Sequence, residues 1–479
     1  MEASQVPLMR GFKGGFADTF LFVVGNVVRP TKVAILQNKS DEMQTLSTSN
    51  WSLLRKVLFR FFFIYLLLQA APWSWIYPIP GADFVLNYYD KFMDWMVEAA
   101  NANLFHIRKV LVHPMGSGDT SWSWAQQWLF ICIAFAGCLI WSFCDRKRKN
   151  YIELNYCLCL IVRYNVIIIA FTYGLIKVFP LQMPFPNQSQ LATPLGDFLP
   201  MRLSWMFIGY SAKYQFFAGF MEVLAGSLLL FRKTVTMGAL FAVAIFSNVM
   251  MMNLSYDIPV KIFSINIVLF CLYLLANEYN RIICFFVLNK PASVCSMYHF
   301  KYTKRWMRMT RIFLKMAFIT YIVAFSFYQN WQRYKSVVNT PETKPIKSGM
   351  YNVAVFAVNK DTLLPLITDT MRWQDVVFEK DGWGSVKTAD TIFRQRYKRG
   401  YFAYETDTLK HIINFKKVQT DSAMYSGIIL SMHYQLPDSN TIRLWGKEKN
   451  DSVYVLLKRS NRHFQLAEKQ FHWLSEYNR

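Results

Sequence analysis

The chain has 479 residues, of which 53% are hydrophobic and only 17% are charged, and its net charge is +23. Soluble domains average about 25% charged residues, so this composition argues against a soluble protein and favours a membrane protein. The length allows two or three domains. The excess of 53 basic over 30 acidic residues fits the Lys and Arg that cytoplasmic loops of membrane proteins collect. Their positions, given below, exclude nucleic acid as the expected partner.

The first 50 residues are expected to form a cytoplasmic or interfacial segment. Residues 17–28 are apolar but too short to cross a bilayer, and they lack a clear small-residue cleavage site, so an interfacial helix is favoured over a signal peptide. Met43 lies just ahead of the first convincing span and is an alternative start.

Seven stretches are long and apolar enough to cross about 30 Å of hydrocarbon, which takes about 20 helical residues. They are residues 56–73, 125–143, 151–179, 205–231, 235–253, 259–276 and 312–328. Basic clusters at residues 55–60, 146–149, 232–233 and 301–311 alternate with these spans. Because such clusters favour the cytoplasmic side, the sequence predicts a helical membrane domain over residues 51–335, with the amino terminus inside and everything after Tyr328 outside.

The outer loop over residues 74–124 is too large for a simple connector, and we expect it to be structured. One polar helical face is predicted for four acidic residues: Asp83, Asp90, Asp94 and Glu98. Gly116, Gly118 and Asp119 are compatible with a phosphate or cation site, but the run lacks the basic residue that follows in a phosphate loop. We therefore interpret it as a tight turn.

Glu222 is the only formal charge within residues 214–231, and such a group at bilayer depth is costly unless it faces a partner, a cavity or a ligand. Arg163 lies at comparable depth, within one or two helical turns, so the two are predicted to form an ion pair. Eight further polar residues are assigned to this polar centre: Tyr164, Tyr173, Lys177, Lys213, Asn248, Asn253, Asp257 and Lys261.

Two interpretations of the polar centre stay open. In the first, Arg163 and Glu222 neutralise each other and lock two helices together, while the outer lysines reach the lipid headgroups. In the second, these groups line a pocket that holds a polar head, a quinone ring or a proton path. The sequence establishes no cofactor, and a quinone or a bound lipid is the ligand that the second interpretation predicts.

Cysteine and histidine positions argue against several mechanisms. All eight cysteines fall in predicted spans or cytoplasmic loops, so a disulfide-forming membrane oxidoreductase is not expected. All seven histidines lie outside the spans, which argues against a haem held by paired intramembrane histidines. The sequence has no Walker loop, dinucleotide fingerprint or zinc-ligand spacing. No metal site is expected, and the chain is not expected to be an enzyme on its own.

Hydrophobic and polar residues alternate in short runs after Pro341, with turn signals such as KDGWG and PDSN between the runs. This pattern is typical of antiparallel strands. About eight strands over residues 341–479 predict a periplasmic β domain, either a lipocalin-like barrel or a sandwich. The tail FHWLSEYNR is expected to close the barrel. Four histidines are too scattered for a metal site: His411, His433, His463 and His472.

The segment GYSAKYQFFAGFMEVLAGSLLLFRKTVTMGALFAVAIFSNVMMMN resembles the core of DoxX-like membrane proteins, over about residues 151–276. Glu222 and Gly226 match the motif of that family. The resemblance implies residence in the inner membrane and, for some members, association with quinone-linked sulfur or terminal-oxidase chemistry. A fainter similarity is to the vitamin K-dependent carboxylase type, whose catalytic lysine matches no position here.

Two functions are therefore carried forward. The first is a non-enzymatic protein that handles lipid or quinone or organises a membrane complex, and it is favoured because nothing in the chain can itself carry electrons. The second is the membrane subunit of a quinone-linked oxidoreductase system, which needs a partner with the redox centre. A carboxylase-like membrane enzyme is a third, weaker reading of the resemblance. Membrane lipids and a redox or assembly protein are the expected partners.

Overall fold

The computed structural model describes residues 50–77, 79–114, 116, 118–291, 304–341, 345–366, 371–418 and 425–469. A helical part is followed by a closed β-barrel, so the predicted change from helices to strands is confirmed. The predicted interfacial helix at residues 17–28, the alternative start at Met43 and the aromatic tail after residue 470 lie outside the described residues.

The helical part contains nine helices of more than ten residues within the described ranges. They are α1 Leu53–Ala70, α2 Ala82–Ala100, α3 Ser121–Cys144, α4 Ile152–Val178, α5 Pro200–Tyr210, α6 Ala212–Leu230, α7 Val235–Ser255, α8 Lys261–Ala276 and α9 Arg305–Val338. Hydroxyl side chains cap the first turns of α1, α3 and α6, where Ser52, Thr120 and Ser211 each accept the N–H three residues on. These polar caps set where each apolar helix begins.

Four of these helices are long and apolar enough to span a membrane: α3, α4, α7 and α9. A fifth span arises if α8 is joined to Tyr279–Val287, although the pair is bent by 76°. The predicted span over residues 205–231 is broken into α5 and α6 at Ser211, which has an extended backbone. The predicted span over residues 56–73 is helical in α1, but three basic residues dilute its apolar character. The predicted number of seven is thus larger than the number of span-capable helices.

The helices α4 and α6 run antiparallel and touch backbone to backbone. A Cβ added at Gly219 would lie 2.5 Å from the carbonyl oxygen of Gly174, and one added at Gly174 would lie 2.9 Å from that of Gly219. Further along the pair, Gly226 lies against Ala170. Small residues permit this approach, and it fixes the register of the polar side chains between the two helices.

The β part is a closed up-and-down barrel. The residues that the structure describes form ten strands: β1 Gly349–Val358, β2 Asp361–Thr362, β3 Asp375–Phe378, β4 Trp383–Val386, β5 Arg394–Arg396, β6 Arg399–Asp407, β7 Ile412–Val418, β8 Tyr425–Asp438, β9 Thr441–Glu448 and β10 Asp451–Arg459. Eight of them form the ring, in the order β1-β3-β4-β6-β7-β8-β9-β10, and β10 pairs with β1. This closure excludes the sandwich alternative. It also removes the open sheet edges that invite aggregation.

The barrel interior is filled by aromatic side chains, and a buried ion pair outside this core joins three of the strands. Trp373, Phe393 and Phe415 are at most 1% exposed and pack ring to ring. Arg399 donates to Asp375 Oδ1 at 2.5 Å and to Ser385 Oγ at 2.9 Å. This cysteine-free part is therefore stabilised by ring packing inside the barrel and by a paired charge in its wall.

The barrel contacts the segment between α4 and α6. The backbone N–H and the hydroxyl of Ser189 both donate to Glu379 Oε1, at 2.8 and 2.7 Å. Lys398 pairs with Asp197 at 2.7 Å. We call this the barrel end of the bundle, and we call the other end, where α4 begins, the basic end.

Candidate functional site

Lys177 of α4 and Glu222 of α6 form a buried ion pair, with side chains that are 10% and 2% exposed. Gly219 makes the pair possible, because the Cβ of Lys177 lies where a side chain at Gly219 would project. The ammonium group of Lys177 therefore reaches Glu222, which lies one turn after Gly219 on α6. The second carboxylate oxygen, Oε2, is buried and has no hydrogen-bond partner among the described residues.

The predicted ion pair between Arg163 and Glu222 is wrong. The guanidinium of Arg163 donates to the carbonyl oxygens of Leu229 and Leu230, at 2.6 and 2.9 Å. Those two carbonyls belong to the last turn of α6, where the helix dipole places partial negative charge. Arg163 is thus a carboxyl-terminal cap for α6 supplied by another helix.

The register between the two helices explains the error. Gly174 faces Gly219 and Arg163 faces Leu230, so Glu222 lies eight residues from the level of Arg163, about 12 Å along the axis. The prediction assumed that the basic residues after α3 and after α6 lie at one depth. In the structure, Arg232 lies over the ring of Tyr156 at 5.9 Å, one turn inside α4.

A cavity of about 850 Å³ opens at the basic end between α1, α4, α8 and α9. Five basic side chains line it: Arg55, Arg163, Arg232, Arg311 and Lys315. One acidic side chain, Glu278, also lines it and pairs with Arg281 at 2.5 Å. We call this cavity the basic pocket. Its lining carries a clear excess of positive charge.

The basic pocket also has an apolar side. Leu160, Leu274, Leu314 and Phe318 line it together with the basic groups, and Phe318 packs edge-on against Tyr164 with ring centroids 4.8 Å apart. Lys315 donates to the carbonyl of Leu230 at 2.9 Å, beside Arg163. Cavities that combine apolar walls with a few convergent polar groups are the usual form of ligand sites. This one matches an anionic head joined to an apolar body.

The remaining predicted site residues do not form one cluster. Tyr173 lies one turn before Lys177 on α4, and Tyr164 lines the basic pocket. Asp257 pairs with Lys261 at 2.6 Å, and Asn253 is buried near them, at the barrel end. Lys213 and Asn248 are exposed on α6 and α7. The polar centre is therefore divided among three places.

Asp119 of the GSGD run caps α8. Its carboxylate accepts the backbone N–H groups of Lys261 at 2.6 Å and of Ile262 at 3.3 Å. A carboxylate at a helix amino terminus accepts hydrogen bonds from N–H groups that have no partner within the helix, and it interacts favourably with the helix dipole. The carboxylate is thus used within the chain rather than on a phosphate or cation.

Two polar networks escaped the sequence reasoning. Tyr65, Gln127 and Asn266 form hydrogen bonds across α1, α3 and α8, with distances of 2.6 to 3.3 Å. At the basic end, the 2% exposed Arg60 donates twice to the hydroxyl of Tyr151. Tyr65, Gln127 and Asn266 are neutral, so a search for charged residues in apolar helices does not identify them. Arg60 was used only to predict which side of the membrane the first span begins on. For the same reason, Arg232, Arg311 and Lys315 were not identified from the sequence as candidate site residues.

Clusters of metal-ligating side chains and disulfides are both absent from the described residues. No group of three or more His, Cys, Asp or Glu side chains in those ranges is placed to hold a metal ion. The seven cysteines that the structure covers are all free thiols, and Cys295 lies outside the described residues. His411 and His433 are exposed residues on the barrel.

The comparisons with known proteins assign no function. No protein-family model and no solved structure matches the chain. The uncharacterized protein YwoB of Bacillus subtilis is 36% identical over 106 residues, which are 22% of this chain and 66% of that protein. The chain thus covers slightly less than two thirds of YwoB. A bacterial protein similar to part of the chain is thus known, and its name describes no activity.

Proposed function

We propose that this chain is an integral membrane protein that binds the anionic headgroup of a phospholipid-like amphiphile in the basic pocket. The observation that carries the proposal is the charge of the pocket lining, five basic side chains against one carboxylate that is already paired. Basic pockets between membrane helices are a known recognition mode for lipid headgroups. The apolar wall formed with Leu274, Leu314 and Phe318 would accommodate the acyl chains.

The proposal includes the DoxX-like assignment and the orientation in the inner membrane. The positive-inside tendency places the basic end in the cytoplasm, so the β-barrel at the opposite end would lie in the periplasm. The alternating course of α3, α4, α6 and α7, together with the barrel contacts at Ser189, supports this orientation. A protein of this design would handle lipid or organise a membrane complex without catalysis of its own.

Lipid that copurifies in mild detergent tests the proposal. We would compare Arg311→Gln, in the pocket, with Arg333→Gln, an exposed cation near the other end of the same helix α9. Mass spectrometry should find an anionic lipid bound to the wild type and to Arg333→Gln. Because one basic residue contributes about 1 kcal/mol to the attraction of anionic lipid, Arg311→Gln should retain about fivefold less. Equal retention in all three proteins would overturn the proposal.

Free phosphate is the competing source of the same chemistry. Inorganic phosphate added to the delipidated protein should bind far more weakly than lipid, since it cannot use the apolar wall. If phosphate alone binds as tightly as lipid and displaces it, the pocket recognises a soluble anion instead.

A quinone site at the Lys177–Glu222 pair is the second candidate. The buried Oε2 of Glu222 has no partner among the described residues, which leaves an acceptor for the hydroxyl of a quinol. A partner protein would have to carry the redox centre. Quinone that copurifies with the wild type and is lost from Glu222→Gln, while Arg311→Gln retains it, would favour this function over headgroup binding in the basic pocket.

A further inference from the structure

The helix α2, within the loop that joins α1 to α3, has three different faces. Its buried face consists of Leu86, Met93, Val97 and Ala100. Its acidic face carries the four residues predicted to share one side: Asp83, Asp90, Asp94 and Glu98. At 3.6 residues per turn those acids span an arc of about 80°, so the predicted polar face is confirmed.

The third face of α2 is apolar and exposed. It carries Phe84, Val85, Tyr88, Phe92 and Trp95, each between 53% and 67% exposed. These residues fall within an arc of about 100°, and the rings pair along it, Phe84 with Tyr88 and Phe92 with Trp95. Five large apolar side chains on one face exceed the single exposed apolar residues that are ordinary on protein surfaces.

The depth of α2 follows from its packing against α3. Val97 and Ala100 pack with Ala125 and Leu129, which are the fifth and ninth residues of a helix able to span a membrane. That position is about 6 to 12 Å from the start of α3 at a rise of 1.5 Å per residue. The carboxyl-terminal half of α2 therefore lies at the level of a membrane surface, at the barrel end.

Exposed aromatic side chains surround α2 at the same level. Trp124 and Trp128 lie in the first turns of α3, and Tyr77 follows α1, each between 38% and 48% exposed. Trp and Tyr concentrate where the headgroups meet the acyl chains. The hydroxyl of Tyr77 donates to Asp90, and this bond raises the pKa of Tyr77 to about 12. The aromatic face of α2 is continuous with this belt.

We infer that α2 lies along the membrane surface at the barrel end, with its aromatic face at the boundary between headgroups and acyl chains. A helix with one apolar and one charged face binds a bilayer in this way. The depth of α2 and the neighbouring aromatic belt favour lipid over a second copy of the chain or another protein. The acidic face then points toward the aqueous phase, where His113 lies 3.5 Å from Glu98.

Photo-crosslinking in vesicles tests this inference. Full-length protein with benzoylphenylalanine at Phe92 or Trp95 would be reconstituted in vesicles of phosphatidylethanolamine and phosphatidylglycerol and irradiated. Two control positions are used. Phe135, 61% exposed in the middle of α3, is the positive control for contact with lipid. Asn87, exposed on the acidic side of α2, is the negative control. Mass spectrometry then counts lipid adducts at each position.

The expected result is lipid adduct formation at Phe92 and Trp95 comparable to that at Phe135 and severalfold above that at Asn87. Adducts to a protein chain in place of lipid at Phe92 and Trp95 would overturn the inference. So would their absence while Phe135 still reacts with lipid. The ring-for-ring replacement at an exposed site leaves the buried face of α2 intact, so the labelled proteins are expected to fold.

Discussion

Lys177 and Glu222 are joined where a close backbone contact at Gly174 and Gly219 brings α4 and α6 together. Both residues are more than nine-tenths buried. Breaking such a pair leaves one charge buried without compensation, which costs about 3–5 kcal/mol, whereas replacing both partners by apolar residues is often neutral.

The single variants Lys177→Met and Glu222→Leu are therefore expected to destabilise the protein strongly, and the double variant is expected to recover most of the loss. Thermal unfolding of the full chain in detergent measures this, with Lys213→Met as the control at an exposed cation. A double variant as unstable as the sum of the singles would show that the two side chains act independently.

Gly219 has a steric role that can be tested separately from charge. A methyl group at this position would collide with the backbone of α4, so Gly219→Ala is expected to push the helices apart and to cost about 1–3 kcal/mol, as overpacking does. Gly196→Ala is the matched control, because no atom lies within 4 Å of the Cβ it would add. Unchanged thermal stability of Gly219→Ala would contradict the close helix contact.

The contact between barrel and bundle depends on Glu379. Its Oε1 accepts both the N–H and the hydroxyl of Ser189, so Glu379→Leu should expose that amide and raise its hydrogen exchange. The measurement is deuterium uptake by a peptide covering residues 187–192. Glu405→Leu, at an exposed carboxylate on the barrel, should leave this uptake unchanged. A similar uptake in the wild type and Glu379→Leu would refute the docking contact.

Asp407 should give the turn after β6 a dependence on pH. Its Oδ1 accepts the N–H groups of Leu409 and Lys410, at 2.9 and 3.0 Å, and these bonds lower the pKa of Asp407 below 3.8. Because the folded-state pKa is the lower one, the stabilisation is present above pH 3.8 and is lost as the pH falls through the folded value.

The test compares hydrogen exchange of residues 408–411 in the wild type and in Asp407→Ala at matched pH. The variant should exchange faster near pH 7, and the two rates should converge in acid, once the pH falls below the lowered pKa of Asp407. A ratio that stays constant across this range would rule out the carboxylate as the cause.

The sequence predicted four of the spans at helices that are able to span a membrane. Residues 125–143, 151–179, 235–253 and 312–328 each lie within or along a helix able to span a membrane. The run over residues 205–231 is not one continuous helix, because the backbone is extended at Ser211, and hydropathy does not register such a break. The strands after Pro341 were recognisable because their burial alternates, as it does in β9.

The candidate site was predicted only in part, for a physical reason. Glu222 was recognised because a lone carboxylate in an apolar helix is energetically unusual. Its partner was assigned wrongly, because depth counted from flanking basic residues ignores how far two helices slide past each other. The cations of the basic pocket were present in the sequence, but nothing in the sequence showed that they converge.

The amino-acid sequence by itself determined which segments are apolar helices, where alternating strands begin and that Glu222 must have a partner or a ligand. These properties follow from the periodicity of hydrophobic residues within each segment and from the free-energy cost of burying a charge. Both can be read from one segment without knowledge of its neighbours. Only the tertiary structure decided that Lys177 is that partner, that Arg163 caps α6 and that five cations share one pocket. Those contacts depend on the stagger between helices, which close approach at Gly174 and Gly219 sets.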